Sequence, residues 1–181
     1  MGEGVSVRVD TSRFERTGAG SIVGPVWLEA GGGAFPEVGW FDFPVTILAW
    51  WLAEVADVAA GVSGECALTF MDGPYEAVMR RDGQACTMTM SGHGEVLRTV
   101  EEVRPAAVLD ALKDTAAAVL DTCAARGWDA HPDVHRLRAA LGRPRPHVRV
   151  PKPGRPGDVT ALSPGGGRCR ARRPRPRSGG R

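Results

Sequence analysis

CALTFM (66–71), YEAVMRR (75–81), QACTMTMS (84–91) and EVLRTVEEV (95–103) are the four runs whose reading decides the fold. All four read as strands, with the period-2 signature of a half-buried strand clearest in 84–91. Asp72-Gly73-Pro74, Asp82-Gly83 and Gly92-His93-Gly94 separate them. Asp-Gly between alternating runs is a strong hairpin signal. Four strands joined by tight turns make an antiparallel meander.

Working outward, the periodicity changes on both sides of this block. Upstream, the spacing predicts a helix over about Pro44 to Ala60, with Leu48, Trp51, Leu52, Val55, Val58 and Ala59 forming one apolar stripe. Asp42 is read as its cap, Pro44 suits the first turn, and Gly61 suits the position after the end. Before it, Val5, Val7 and Val9 alternate as a strand. Ser21 to Ala30 reads as a second strand, with Pro25 pointing to an edge or a bulge. Gly31-Gly32-Gly33 is a loop with no Lys-Ser/Thr behind it, so it is not a phosphate loop. Downstream, Pro105 to Arg126 reads as a helix with Val108, Leu109, Leu112, Ala116, Val119, Leu120 and Cys123 inward, ended by Gly127. A third helix, Pro132 to Leu141, aligns Val134, Leu137 and Leu141. The order ββαββββαα implies an α+β fold: an antiparallel sheet of about six strands with helices packed on one face.

Beyond Gly142 the periodicity ends. Residues 143–181 are rich in Arg, Pro and Gly and nearly lack large apolar groups. Such a segment buries too little surface to offset its ordering entropy, so a disordered tail is expected after a domain spanning 1–142. Charge divides at the same point. The tail carries twelve basic residues and one acid, a net +11, while residues 1–142 carry eleven basic and twenty acidic residues, a net −9. The acidic domain repels phosphates and is suited to steering a cationic partner. The tail suits nucleic acid through counterion release, or lies along its own acidic domain.

No run approaches the roughly 20 apolar residues of a spanning helix, and the start lacks the basic and apolar segments of a secretory signal, so no membrane role and a cytoplasmic location are expected. The four cysteines form no C-x-x-C pair and read as small buried hydrophobes in a reducing compartment. Two lysines against 21 arginines, with abundant Ala, Gly and Pro, are the composition of a GC-rich bacterial genome.

Chemistry-bearing constellations are scarce. His131 and His135 stand at i,i+4, but Pro132 starts the helix and leaves His131 at a cap, and no third ligand is evident, so neither metal nor cofactor is expected. No Ser sits in a G-x-S-x-G elbow. Glu101 and Glu102 are adjacent, so a strand sends them to opposite faces. Trp50 is different. At about 100° per residue it lies about 200° from Leu48, among Thr46, Ala53, Glu54 and Asp57. A tryptophan beside the carboxylates of Glu54 and Asp57 is a candidate partner-binding anchor. The competing reading has the Gly39-Trp40-Phe41 loop, or the tail, folding over it. Tyr75, the only tyrosine, is a further candidate.

Gly39 to Pro44 (GWFDFP), Ile47 to Leu52 (ILAWWL) and Phe70 to Tyr75 (FMDGPY) resemble small uncharacterised bacterial α+β proteins, some of them similar to immunity proteins encoded beside secreted toxins. The resemblance spans about residues 21 to 125 and implies that the acidic surface neutralises a cationic toxin. The expected function is therefore a non-enzymatic module binding a basic protein. The alternatives are a nucleic-acid-associated protein acting through its tail, and an enzyme whose site forms only in three dimensions.

Overall fold

A computed structural model of the chain describes residues 4–82 and 85–143. The expected tail, apart from Arg143, and Gly83 of the expected Asp82-Gly83 turn, with Gln84, lie outside the described residues. Among the described residues, nine strands and three helices follow in the order β1 (Ser6–Val9), β2 (Glu15–Arg16), β3 (Ile22–Ala30), β4 (Gly33–Phe35), β5 (Phe41–Asp42), α1 (Pro44–Ala59), β6 (Glu65–Thr69), β7 (Tyr75–Asp82), β8 (Ala85–Gly92), β9 (Glu95–Val103), α2 (Pro105–Ala125) and α3 (Pro132–Leu141). A 3-10 turn, Thr11–Arg13, separates β1 from β2. The fold is α+β, with antiparallel sheets and helices packed against them.

The meander forms as its alternation dictates, in the order β6-β7-β8-β9. The register runs through Ala67↔Val78, Val78↔Thr89 and Thr89↔Thr99. Cys66, Leu68, Ala77, Met79, Cys86, Met88, Met90, Val100 and Val103 fill the buried face. Fully burying each of the Leu, Met and Val side chains among them stabilises by about 1.5–3 kcal/mol. In β9, Glu101 and Glu102 together stand opposite Thr87, because Cys86↔Val103 and Met88↔Val100 are paired. This bulge puts Glu102 at φ +56, while Glu101 accepts a hydrogen bond from the Thr87 hydroxyl at 2.9 Å. The two carboxylates thus stand in a bulge rather than on a regular strand.

The first two expected strands do not join this sheet. β3 is the centre of a separate sheet, with β1 and β2 paired to it, and β4 and β5 also paired to it. Pro25 therefore sits in a central strand, not at an edge. β1 pairing stops at Val9↔Val26 and β2 pairing begins at Glu15↔Val23. The missing N–H of Pro25 falls in that interruption, where its carbonyl still accepts from the Asp10 N–H at 3.2 Å.

α1 lies among α2, α3, β3 and β6. That position explains why Val45, Ile47 and Ala49 are buried in addition to the stripe, of which Ala59 is only half-buried. Trp51 is fully buried and its indole N–H donates to the Thr69 carbonyl of β6 at 3.0 Å. Gly61, at φ +73, ends the helix: its N–H reaches the Val58 carbonyl, and the Val62 N–H reaches that of Asp57. The seven inward residues expected on α2 are its buried residues. Arg126, just past α2, donates to the carbonyls of Thr11, Ser12 and Phe14, and lies over the Trp128 ring. It ties the helix end to the 3-10 turn.

α3 starts at a histidine cap. His131 Nδ1 accepts from the Asp133 N–H at 3.1 Å, so the ring proton sits on Nε2, which donates to the Gly20 carbonyl at 2.8 Å. His135, by contrast, is exposed. Among the described residues no three His, Cys, Asp or Glu side chains converge as metal ligands, and no helix is long and apolar enough to cross a membrane.

Candidate binding surfaces

Helix geometry leaves Trp50 on the outer side of α1, 46% exposed. It lines a groove of about 390 Å³ with Thr46, Ala49, Ala53 and Glu54 of the same helix. The other wall is Arg136, Ala139 and Ala140 of α3, with Arg143 beyond it. Alanines on both walls keep the groove floor shallow and apolar. The walls are held together by Asp133, which accepts from the Thr46 hydroxyl at 3.1 Å and pairs with Arg136 at 2.8 Å.

Two features differ from the sequence reading. The Gly39-Trp40-Phe41 loop does not cover Trp50, since Trp40 packs on Tyr75 instead, with ring centroids 5.0 Å apart. The groove is also of mixed charge. Glu54 lines it, but so do Arg136 and Arg143, while Asp57, although exposed, is not among the lining residues. The arginines arrive from α3 and the residue that follows its cap, 86 and 93 positions along the chain from Trp50, where a single-helix projection cannot see them.

Tyr75 belongs to a second surface. Its ring contacts those of Trp40, Phe35 and His93 edge-on, at 5.0, 6.0 and 5.5 Å. Its hydroxyl meets His93 Nε2 at 3.4 Å. In the register Tyr75 faces Gly92, where a Cβ would stand 2.6 Å from the tyrosine ring and 3.2 Å from Leu97 Cδ1. The bare glycine is what lets the ring lie flat across the hairpin. Gly73, at φ +86, is similarly crowded by Tyr75 and by Trp40 Cζ2. Met71 and Leu97 are 46% and 56% exposed beside these aromatics.

Beneath this surface lies Asp42, which the sequence suggested as the α1 cap. The helix instead begins from Phe43, whose side chain makes no cap bond. Asp42 is 2% exposed. One carboxylate oxygen accepts from the Phe43 N–H at 2.7 Å. The other accepts from the N–H groups of Met71 and Asp72, at 3.0 and 3.1 Å, and from the Trp40 indole at 3.4 Å. One buried carboxylate thus joins the 39–44 and 70–75 segments.

Cys66 and Cys123 are not prepared for nucleophilic work. Burial, with the Glu54 and Cys86 charges adding, pushes the Cys66 thiol up to about 12. Burial also raises Cys123. An activated thiol requires the opposite shift. A further open hollow of about 560 Å³ is lined by Gly31, Gly32, Gly33 and Glu29 among others. A hydrogen bond from Arg8, at 2.7 Å, holds the Glu29 carboxyl below its ordinary range. No family model, curated protein or solved structure matches the chain.

Proposed function

We propose that this protein is a non-enzymatic protein-binding module whose partner docks on the α1–α3 groove. The observation that carries the reading is Trp50, a large aromatic left 46% exposed in a groove of alanines with charged rims. Tryptophans in such positions are the residues that dominate interface energies. The net −9 of residues 1–142 favours a basic partner, and an immunity protein restraining a cationic toxin fits both features. The raised thiols of Cys66 and Cys123 agree with a binding role rather than covalent catalysis.

The test is affinity capture from the source cell, with the product of the neighbouring gene included, followed by titration of the captured partner. Trp50→Ala is expected to weaken binding by about 2 kcal/mol or more, the scale of an interface hot spot. An unchanged affinity removes the groove from the interface.

A second reading rests on the +11 of residues 143–181. A segment this basic binds nucleic acid with steep salt dependence and no sequence preference. Anisotropy of labelled DNA at two salt concentrations, with the intact chain and with a 143–181 peptide, separates this from the groove reading. If neither binds at low salt, the nucleic-acid reading falls.

A further inference from the structure

We infer that the Trp40–Tyr75 surface is a docking site for an arginine side chain of the partner protein. The inference rests on the binding-module reading but uses a different face from the Trp50 groove. Trp40 and Tyr75 form an edge-to-face pair, both only partly buried, with exposed Met71 and Leu97 beside them. The Tyr75 ring itself fills the space a Cβ would take at Gly73 and Gly92, which seats it against the hairpin beside Trp40. The buried Asp42 carboxylate fixes the turn and the Trp40 indole, so the rings are held before any partner arrives.

Charge selects the occupant. Glu37, Asp72 and Glu95 are all exposed, and each lies three residues from Trp40, Tyr75 or Gly92 in sequence, whereas Glu76, next to Tyr75 in β7, points to the opposite face. Glu37 turns directly into Trp40, whose N–H donates to its carbonyl, and Glu95 pairs with Gly92. Two arginines approach: Arg13 comes near Gly39, and Arg98 is committed to the Ala30 carbonyl at 2.8 Å. Three carboxylates outweigh them. Aromatic faces inside an acidic rim attract cations. A planar guanidinium stacks on rings and bonds carboxylates through its fork, whereas a lysine ammonium offers only a hydrated point charge. The groove at Trp50, rimmed by Arg136 and Arg143, has no such bias.

The probes are octa-arginine and octa-lysine peptides titrated calorimetrically into the full-length protein at one ionic strength. Octa-arginine is expected to bind about fivefold tighter, the scale of a cation–π contact. Tyr75→Leu should remove that preference, Tyr75→Phe should keep it, and Trp50→Ala should leave it untouched. Equal binding of the two peptides, or an arginine preference that survives Tyr75→Leu, overturns the inference. If Tyr75→Leu fails to fold by circular dichroism, the Asp72→Asn/Glu95→Gln variant replaces it. Both residues are exposed, and the variant should weaken octa-arginine binding severalfold; unchanged binding refutes the site. Loss of partner binding in Trp50→Ala reports on the groove alone, so the two readings fail separately.

Discussion

Replacing Asp42 tests whether a buried carboxylate, rather than apolar packing alone, fastens β5 to the β6–β7 turn. Its two oxygens accept three short backbone bonds, from Phe43, Met71 and Asp72, and one longer bond from Trp40. Hydrogen bonds to a charged group contribute about 1.5–3 kcal/mol net each. They do not add here, because they share one carboxylate, and Met71 and Asp72 are exposed enough for water to reach their freed N–H groups. Asp42→Ala is therefore expected to cost about 3 kcal/mol, about 10 °C in thermal midpoint for a domain of this size. Asp42→Asn is the sharper variant, since it preserves volume. An amide has one accepting oxygen and one donating NH2, so whichever way it turns, a donor faces a donor. Its oxygen at the Met71 and Asp72 side leaves the Phe43 N–H opposed, at a cost of about 2 kcal/mol. Urea unfolding with the slope held constant measures both. If both variants stay within about 0.5 kcal/mol of the parent, as ordinary surface substitutions do, Asp42 is not the fastening and the reasoning fails.

Other outcomes follow from the same structure. His131→Ala removes the α3 cap and the bond to Gly20, and should cost about 2 kcal/mol in urea unfolding, the sum of a cap and one hydrogen bond; a loss confined to solubility would contradict this. For Cys66, burial raises the folded thiol from 9.0 to about 12, so its contribution to stability is present below pH 9 and is lost as pH rises toward 12. A Cys66→Ala variant should flatten that alkaline decline. In a Cys169→Ser background, Cys66, Cys86 and Cys123, all buried, should resist alkylation until the domain unfolds. Truncation after Gly142 should leave a single cooperative thermal transition, and loss of cooperativity would show that the folded unit extends into the tail.

Local patterns carried the reading of this fold as far as local physics reaches. The α2 face was legible because seven apolar residues recur at helical spacing, and burial follows directly from that spacing. The meander was legible because alternation and Asp-Gly turns fix both strands and pairing. β2, β4 and β5 were not, because two or three residues cannot display a period. Trp50 was found by angle alone, but the sign of its surroundings depended on how α3 docks, which places Arg136 and Arg143 beside Glu54. Asp42 was misread for the same reason. An acid two residues before a helix-starting proline has a strong local explanation as a cap, while two of its real donors lie 29 and 30 residues away. The cap and the carboxylate clamp compete for the same side chain, and burial decides between them: at 2% exposure a carboxylate is retained only where each oxygen is satisfied. That makes Asp42 the link between fold and candidate site. The residue holding β5 against the 70–75 turn is also the one that sets the Trp40 indole beside Tyr75. An Asp42→Asn protein kept folded at low temperature should therefore lose its preference for octa-arginine. It should retain Trp50-dependent binding, because the groove is built from the side chains of α1 and α3 and the Arg143 that follows them.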